Sequence, residues 1–260
     1  MNDKTDSIFK KIPDLKYEEI APEIDFSEFE KVVESRRSVR VFTDDKIPEN
    51  ITRRCLEIAL LAPNSSNLQP WEFYWIKSAD KKQKVIKACM SQPAARTAAE
   101  IFVCIARTDT WRKNNKKMLD TLLSGKTPAP KSAIQYYSKL TNLAYGFIGP
   151  FGLLSPIKHA FFTIMGLFQP MVREPITPAE LKTWAVKTTA LGCENLMLAF
   201  RAFGYDTCAM EGMDAHRVKK VLKLGRGAHV VMCMSAGKRA PNGIYGPRIR
   251  FDQDDFIKIV

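Results

Sequence analysis

The sequence predicts an α+β protein. Strand patterns and helix patterns of unequal length follow one another without the regular strand-helix-strand rhythm of a parallel sheet. The clearest strands are two apolar runs, AAEIFVCIA at 98–106 and AHVVMCMSAG at 228–237, and the longest helical pattern covers 177–204. With 260 residues, of which 45% are hydrophobic, the chain can bury a sizeable core.

The first part of the chain predicts helices, strands and one polar loop. Apolar residues recur at helical spacing in FSEFEKVVESR, and Pro48 suits the first turn of the next helix. Proline, asparagine and serine mark APNSSNLQP as a loop, whereas WEFYWIKS alternates like a strand. In order, we predict a helix at 26–36, a helix at 48–62, a loop at 62–70, a strand at 71–78, a helix at 80–90 and a strand at 98–106.

The last part of the chain is equally regular. Thr177 is a suitable N-cap for a long helix, and Gly204 is a suitable residue at its C-terminal end. The elements that we predict here are a helix at 177–204, a strand at 205–210, a helix at 214–225 and a strand at 228–237.

Charge is unevenly distributed along the chain. Residues 1–30 contain four Lys and nine Asp or Glu, a net charge of −5. The whole chain has a net charge of +12, so residues 31–260 carry a net charge of +17. We therefore predict an acidic N-terminal arm at 1–25, followed by a basic body. Such a body attracts polyanions, anionic membrane surfaces or phosphorylated small ligands, and composition alone does not choose among them.

The cysteines and histidines indicate a reducing compartment and no metal site. The six cysteines form no CxxC pair, and most lie in apolar runs, so we expect buried, reduced thiols in a cytoplasmic protein. The polar start of the chain lacks the apolar core of a signal peptide. The three histidines are far apart and lack the spacing of zinc ligands, so no metal is expected.

Three arginines lie within five positions in SRRSVRVF at 35–42. Guanidinium groups beside a hydroxyl, as in Arg36, Arg37 and Ser38, suit a phosphate group. Arginines at the end of a helix can also simply complement the helix dipole. A second pair, Arg248 and Arg250 in GPRIRF, occupies alternate positions, so both side chains would point to one side of an extended segment.

Two further stretches, both predicted to be loops or strand ends, have the composition of ligand-binding segments. APNSSNLQPW at 62–71 places a group of amide and hydroxyl side chains between two prolines. AMEGMD at 209–214 places Gly212 just after a predicted strand, where a missing side chain lets a ligand approach the backbone. Each stretch taken alone is also compatible with an ordinary turn.

Together and in this order, these stretches resemble the FMN-dependent nitroreductase family over residues 26–106 and 177–260. The resemblance implies a nitroreductase-like α+β fold, with a central, mostly antiparallel sheet flanked by helices. It also implies an intertwined homodimer that holds FMN between its subunits. Residues 26–260 would form a single FMN-binding domain, with a variable lid or insert at about 107–175 that matches no family pattern.

The resemblance assigns roles to the SRRSVRVF turn. Arg36, Arg37 and Ser38 match the clamp on the phosphate and ribityl chain of FMN. Arg40 matches the cationic position beside the N1 and C2-carbonyl edge of the flavin. Reduced flavin carries its negative charge at that edge, so a guanidinium there is stabilising.

Three other groups of residues are implied to contact FMN. The loop that reaches the flavin from the other subunit corresponds to Pro63, Asn64, Ser65, Ser66 and Asn67, with Gln69 nearby. The segment whose backbone N–H points at flavin N5 corresponds to Met210, Glu211 and Gly212. The second half of the phosphate grip corresponds to Arg248 and Arg250.

The expected activity is that of an oxidoreductase in which NAD(P)H reduces FMN and the flavin then passes two electrons to a nitroaromatic or quinone. Because the flavin carries the chemistry, no catalytic side chain is assigned. The same turn also fits a reductive dehalogenase or a flavin-fragmenting relative. A nucleic-acid-binding protein is a third hypothesis, prompted by the net charge of +12, but no reader motif accompanies the RKNNKK run at 112–117.

The apolar stretch at 143–172 is interrupted by three prolines and is too short between them to cross a bilayer. We expect a hydrophobic lid that lines the substrate channel. Burial in the dimer core and contact with an anionic membrane surface are the alternatives.

Overall fold

A computed structural model describes residues 17–125, 129–146, 148–149 and 152–260. Within these ranges the strands are β1 (Trp71–Trp75), β2 (Glu100–Arg107), β3 (Asp206–Met210) and β4 (Ala228–Gly237). They form one sheet in the order β1-β2-β4-β3, and every neighbouring pair is antiparallel. The α+β class and the antiparallel sheet that the sequence predicts are confirmed.

Helices precede, separate and follow the strands. In chain order they are α1 (Phe26–Ser35), α2 (Glu49–Ala59), α3 (Ala79–Ala88), α4 (Pro93–Arg96), α5 (Trp111–Leu123), α6 (Lys131–Gln135), α7 (Thr141–Gly146), α8 (Ser155–Met165), α9 (Pro178–Ala202) and α10 (Ala215–Leu222). A π-helical turn, Tyr136–Leu140, joins α6 to α7.

Both faces of the sheet are covered around β2, whose residues from Ile101 to Ala106 are all apolar and buried. Ile101, Val103 and Ile105 of β2 pack with residues of α3, α4 and α10, whereas Phe102 and Cys104 pack with α2 and α9. Successive strand residues point to opposite faces, so a strand covered on both sides needs an unbroken apolar run. Residues 101–106, IFVCIA, have that property.

The long helix α9 begins and ends close to the predicted residues. The Thr177 side chain accepts from the Glu180 backbone N–H, and the Glu180 carboxylate accepts in return from the Thr177 backbone, which forms a capping box. After the helix, Gly204 has a φ of +82°, and the Tyr205 N–H donates to the Phe200 carbonyl at 2.9 Å. This is the Schellman ending for which glycine is favoured.

Most of the other predicted elements are confirmed within a few residues. Pro48 is the N-cap of α2 rather than its first residue. The first strand ends at Trp75, three residues early, because Ser78 caps α3 by accepting from the Lys81 N–H. The short helix α4 was not predicted. All six cysteines are buried and free, as expected.

Residues 107–175, which we call the insert, contain α5 to α8. Lys158 of α8 is only 2% exposed, and its amine donates to the carbonyl oxygens of Ala144 and Pro175. Ser155 and Phe162 of the same helix are also buried. The buried amine therefore ties α8 to α7 and to the chain that leads into α9.

The opposite side of α8 is exposed and apolar. Phe161 is 49% exposed, whereas the adjacent Phe162 is 5% exposed, so the two rings have different environments. The expectation of a lid remains a prediction. Among the described helices, none combines the length and apolar character needed to span a membrane.

Lys158 should make stability depend on pH. Burial lowers its pKa from 10.5 to about 8, although the nearby Glu180 carboxylate acts in the opposite direction. Between about pH 8 and 10.5 the unfolded chain then binds more protons than the folded chain, so the free energy of unfolding rises with pH across that window. We expect Lys158→Met to lack this rise when urea unfolding is measured at several pH values. Equal slopes for the two proteins would contradict the prediction.

Candidate functional site

Residues 36–39 run in an extended conformation beside the outer edge of β3, and the chain bends at Arg40. Ser38 forms a parallel bridge with Thr207, and the Val39 N–H donates to the Thr207 carbonyl at 3.0 Å. Because alternate residues of an extended segment point the same way, Arg36 and Ser38 share one face. Val39 is fully buried in the core. Packing of Val39 therefore fixes the direction in which the polar side chains point.

The C-terminal tail folds back onto the end of α1. The Arg248 guanidinium donates to the carbonyl oxygens of Glu34 and Arg36, and the Arg37 guanidinium donates to the Gly246 carbonyl at 2.6 Å. Cations at the C-terminal end of a helix also interact favourably with its dipole. The structure thus brings together three of the arginines that the sequence singles out, although Arg248 is more than 200 residues from Arg36 and Arg37.

Arg250 is placed differently from Arg248. It is exposed, and its guanidinium donates to the carbonyl of its own neighbour Ile249 at 2.8 Å. The GPRIRF segment is not a strand, so its alternate residues need not face the same way. The structure does not show Arg250 on the end of α1, and its role stays a prediction.

Arg40 lies partly buried against the sheet. Its guanidinium donates to the Cys208 sulfur at 3.3 Å, and its backbone N–H donates to the Gly243 carbonyl at 2.7 Å. Burial raises the pKa of the Cys208 thiol and outweighs the opposite influence of Arg40, so the thiol is neutral at pH 7. Within the described residues no carboxylate lies within 4.0 Å of the Arg40 guanidinium. Arg40 therefore forms no ion pair within the described part of the chain.

The backbone just beyond β3 is accessible. Met210, the last residue of the strand, is buried, whereas Glu211 and Gly212 are exposed. A Cβ atom added at Gly212 would meet no atom within 4 Å. A ligand could therefore reach the peptide groups at Glu211 and Gly212, as the sequence predicts for this segment.

The loop that precedes β1 has an unusual backbone. Ser66, Asn67 and Gln69 have φ values of 57°, 45° and 45°, which non-glycine residues seldom adopt. The Asn64 side-chain oxygen accepts from the Gln69 backbone N–H at 2.8 Å and closes the loop on itself. Pro63 leads into this turn. We refer to residues 63–69 as the polar loop.

The insert holds the polar loop through tyrosine hydroxyl groups. Ser66 Oγ lies 2.5 Å from the Tyr136 hydroxyl and 3.3 Å from the Tyr145 hydroxyl. The Tyr137 hydroxyl donates to the Ser66 carbonyl at 3.0 Å, and Ser65 Oγ also lies within 3.2 Å of Tyr145. The sequence analysis did not identify these tyrosines. No local pattern marks residues whose partners lie 70 positions away.

An aromatic cluster packs against the buried residue of the same loop. Leu68 is fully buried and packs with Trp111, Tyr145 and Trp184. The ring centroids of Tyr145 and Trp184 are 4.7 Å apart, and burial raises the pKa of the Tyr145 hydroxyl. Asn114 of α5 adds a hydrogen bond to the Leu68 carbonyl at 2.8 Å. The loop therefore rests on a rigid, mostly aromatic base.

The two halves of the predicted site lie at opposite edges of the sheet. The arginines flank β3, whereas the polar loop leads into β1, and these are the two edge strands. Three inter-strand spacings of about 4.8 Å place the edges roughly 14 Å apart. Within one chain the structure does not bring the polar loop to the arginines.

Asp206 anchors the arginine side of the site, and the sequence analysis did not identify its role. Its side chain is 3% exposed and accepts from Arg201 at 2.9 Å and from Arg239 at 2.6 Å. Arg239 also donates to the Ser35 carbonyl at the end of α1. One feature of the sequence does point to this role: Asp206 is a carboxylate at the first residue of a buried strand, and a buried carboxylate requires a cationic partner.

Solved structures share this arrangement of sheet and helices. YdfN of Bacillus subtilis superimposes with a TM-score of 0.70 at 20% identity, over 91% of this chain and 100% of that chain. A protein of Exiguobacterium sibiricum, solved in complex with FMN, superimposes with a TM-score of 0.64 at 24% identity, over 89% of this chain and 97% of that chain. These likenesses confirm the predicted nitroreductase-like fold.

Sequence comparison identifies the family. The family model described as "Nitroreductase family" matches residues 33–238, and the chain belongs to the nitroreductase family. An NADH dehydrogenase of Thermus thermophilus is 24% identical over 84% of this chain and 90% of the relative. A 4-nitrobenzoate reductase of Pseudomonas putida is 26% identical over 81% of this chain and 85% of the relative.

Removing the charge of Asp206 should destabilise the fold. Asp206→Asn leaves Arg201 and Arg239 without a carboxylate at a mostly buried position, so we expect the free energy of unfolding to fall by about 2–4 kcal/mol. Chemical denaturation measures this loss. Glu57→Gln is the matched control, because Glu57 pairs with Arg53 and Arg54 at the exposed surface, where a change below about 1 kcal/mol is expected. Similar losses in both variants would refute the anchoring role.

Proposed function

We propose that this protein is an FMN-dependent oxidoreductase that takes hydride from NAD(P)H and reduces an aromatic acceptor by two electrons. The observation that carries the proposal is a surplus of positive charge beside β3. Arg36, Arg37, Arg40 and Arg248 lie there, and the carboxylate nearest to them among the described pairs is Glu194, 3.8 Å from Arg36. Membership in the nitroreductase family supports the same activity.

The residues fit the phosphate end of FMN. A phosphate group carries close to two negative charges at pH 7 and is bound best by guanidinium groups and hydroxyl donors. Arg36 and Ser38 point to one face, and Arg248 reaches the same end of α1. We assign the phosphate clamp to these residues together with Arg37, and Arg250 extends it from the tail.

Arg40 and the backbone after β3 fit the flavin ring. When bound, FMN supplies a ring that accepts and returns a hydride. A guanidinium without an ion-pair partner, such as that of Arg40, stabilises negative charge on a neighbouring ring, more strongly where water is partly excluded. Met210, Glu211 and the open position at Gly212 offer backbone N–H groups to the same ring.

We propose that the functional unit is a homodimer. The polar loop and the arginines are held at opposite edges of one sheet, so a second copy is the natural source of the missing half of each site. Pro63, Asn64, Ser65, Ser66, Asn67 and Gln69 of one copy would then complete the site of the other. In a two-fold dimer this exchange occurs twice and yields two equal sites.

The insert is the proposed determinant of the acceptor. Tyr136, Tyr137 and Tyr145 bind the polar loop, so a lid at about 107–175 would be connected directly to the site. Aromatic walls of this kind favour aromatic acceptors, of nitroaromatic or quinone type. The 4-nitrobenzoate reductase relative supports the acceptor class, and the NADH dehydrogenase relative supports the donor. We further propose that residues 26–260 form one domain and that the protein is cytoplasmic.

Loss of FMN from arginine variants tests the function. We expect Arg36→Ala and Arg248→Ala to weaken FMN binding by about ten- to a hundredfold, because each removes a charged contact to the phosphate. Arg226→Ala is the matched control, since Arg226 is exposed and has no assigned role. Flavin absorbance of the purified proteins and FMN titration of the apoproteins give the comparison, with circular dichroism to confirm folding.

Two results would overturn the proposed function. The first is a wild-type protein that takes up no FMN. The second is an FMN-loaded protein that oxidises neither NADH nor NADPH with nitroaromatic or quinone acceptors. Equal FMN affinity in all three arginine variants would overturn only the clamp.

Arg40→Ala should change the reduction potential of the flavin rather than the affinity of the protein for FMN. If Arg40 lies beside the ring, its removal disfavours the reduced, negatively charged form more than the oxidised form, so we expect a lower midpoint potential with FMN still bound. Reductive titration against a reference dye measures the shift, and Arg40→Lys should restore part of it. A potential equal to that of the wild type would place Arg40 away from the ring.

A further inference from the structure

The outer side of α8 is an apolar surface that nothing in the described chain covers. We call Ile157, Phe161, Ile164 and Phe168 the outer stripe, and these side chains are 59%, 49%, 58% and 81% exposed. Their spacing of four, three and four residues places them along one side of the helix and the turn that follows. The other side of α8 is already buried through Lys158 and Phe162. A helix that is apolar on both sides is normally covered on both.

The segment around the outer stripe carries no negative charge. Residues 121–173 contain no Asp or Glu. Apart from the buried Lys158, their positive residues are Lys126, Lys131, Lys139 and Arg173. A partner that combines apolar side chains with carboxylates would therefore fit this surface in both respects.

The chain itself contains a segment with the complementary character. Residues 17–30, YEEIAPEIDFSEFE, include six Asp or Glu and no Lys or Arg, and we call them the acidic segment. Its apolar side chains are also unpacked, with Ile20, Ile24, Phe26 and Phe29 exposed by 92%, 77%, 68% and 53%. Isoleucines and phenylalanines at this exposure indicate a docking sequence rather than a solvated linker.

We propose that the acidic segment of one copy docks on the outer stripe of α8 in a second copy. This inference rests on the homodimer of the proposed function and identifies one of its contacts. Among the described residues of one chain both surfaces stay exposed, and we therefore take the occupant from a second copy. Self-pairing of two α8 stripes would instead place two acid-free, basic segments against each other, which is unfavourable.

The dimensions of the two surfaces are compatible. Residues 17–25 have no helical structure, and an extended chain covers about 3.3 Å per residue, so these nine residues reach roughly 30 Å. The outer stripe extends over about 12 residues at 1.5 Å each, or about 18 Å. Ile20 and Ile24 can therefore reach different points of the stripe, with Glu18, Glu19 and Glu23 left to face the surrounding cations.

Cross-linking between engineered cysteines tests the contact. The variant carries Ile24→Cys and Phe161→Cys, and all six native cysteines are buried, so a short bismaleimide reacts mainly at the introduced positions. We expect a covalent dimer at about twice the 29.5 kDa chain mass on a denaturing gel. The matched control combines Ile24→Cys with Leu61→Cys, because Leu61 is 74% exposed at the end of α2 and lies outside the proposed contact. Each single variant is run beside the pair.

Charge variants test the electrostatic part of the proposal. Replacing Glu18, Glu19 and Glu23 together with Lys in the cross-linking variant should lower the yield of covalent dimer about fivefold at low salt, whereas Gln at the same positions should lower it less. High salt should reduce the yield of the unmodified pair and narrow the difference among the three proteins.

The outcomes separate this proposal from the homodimer itself. A wild-type protein that sediments as a monomer with FMN bound overturns both. A dimer that gives no cross-link, or only a cross-link within one chain, overturns the docking of the acidic segment and leaves the homodimer standing. An α8 surface that binds vesicles containing phosphatidylglycerol, with binding lost in Phe161→Ser and cross-linking absent, assigns the stripe to a membrane and overturns the proposal.

Discussion

The strand order of the sheet is the constraint on which the rest of the structure depends. β2 and β4 are central and buried on both faces, so β1 and β3 become the edges and the polar segments attached to them are kept apart. Arg36, Ser38 and Arg40 extend the edge at β3, and the polar loop leads into the edge at β1. The rigidity of the sheet fixes this separation. This separation is the reason why the proposed site draws its two groups from two chains.

The two edges are stabilised by different kinds of interaction. On the arginine side, Asp206 binds Arg201 and Arg239, and Arg239 in turn reaches the end of α1. Arg201 and Arg239, which stabilise the fold, are thereby paired with a carboxylate. Arg40 and Arg248 have no such pairing among the described residues and can bind an anionic ligand. On the loop side the interactions are between hydroxyl groups and rings and carry no net charge. The two edges of the sheet therefore differ in electrostatic character, one cationic and one neutral and aromatic.

The sequence predicted the regular elements well because their signals are local. The run at 228–237 is a strand over its whole length, and the Thr177 cap and the Gly204 turn bound α9 as expected. The resemblance also identified the arginines that meet at the end of α1. The insert was not predictable, since α5 to α8 lack a shared periodicity and Lys158 is buried against carbonyl oxygens from distant segments. The roles of Asp206 and of the tyrosines could not be predicted from local patterns, because most of their partners are distant in sequence.

The backbone of the polar loop makes its shape dependent on the insert. Ser66, Asn67 and Gln69 hold left-handed conformations that disfavour each residue by about 1 kcal/mol or more, and no glycine lies between 62 and 70 to relieve them. Three tyrosines of the insert, which lie 70 or more residues further along the chain, hydrogen-bond to Ser66 and stabilise this conformation. A substitution in the insert can therefore reshape the polar loop without any change in the sequence of the loop itself.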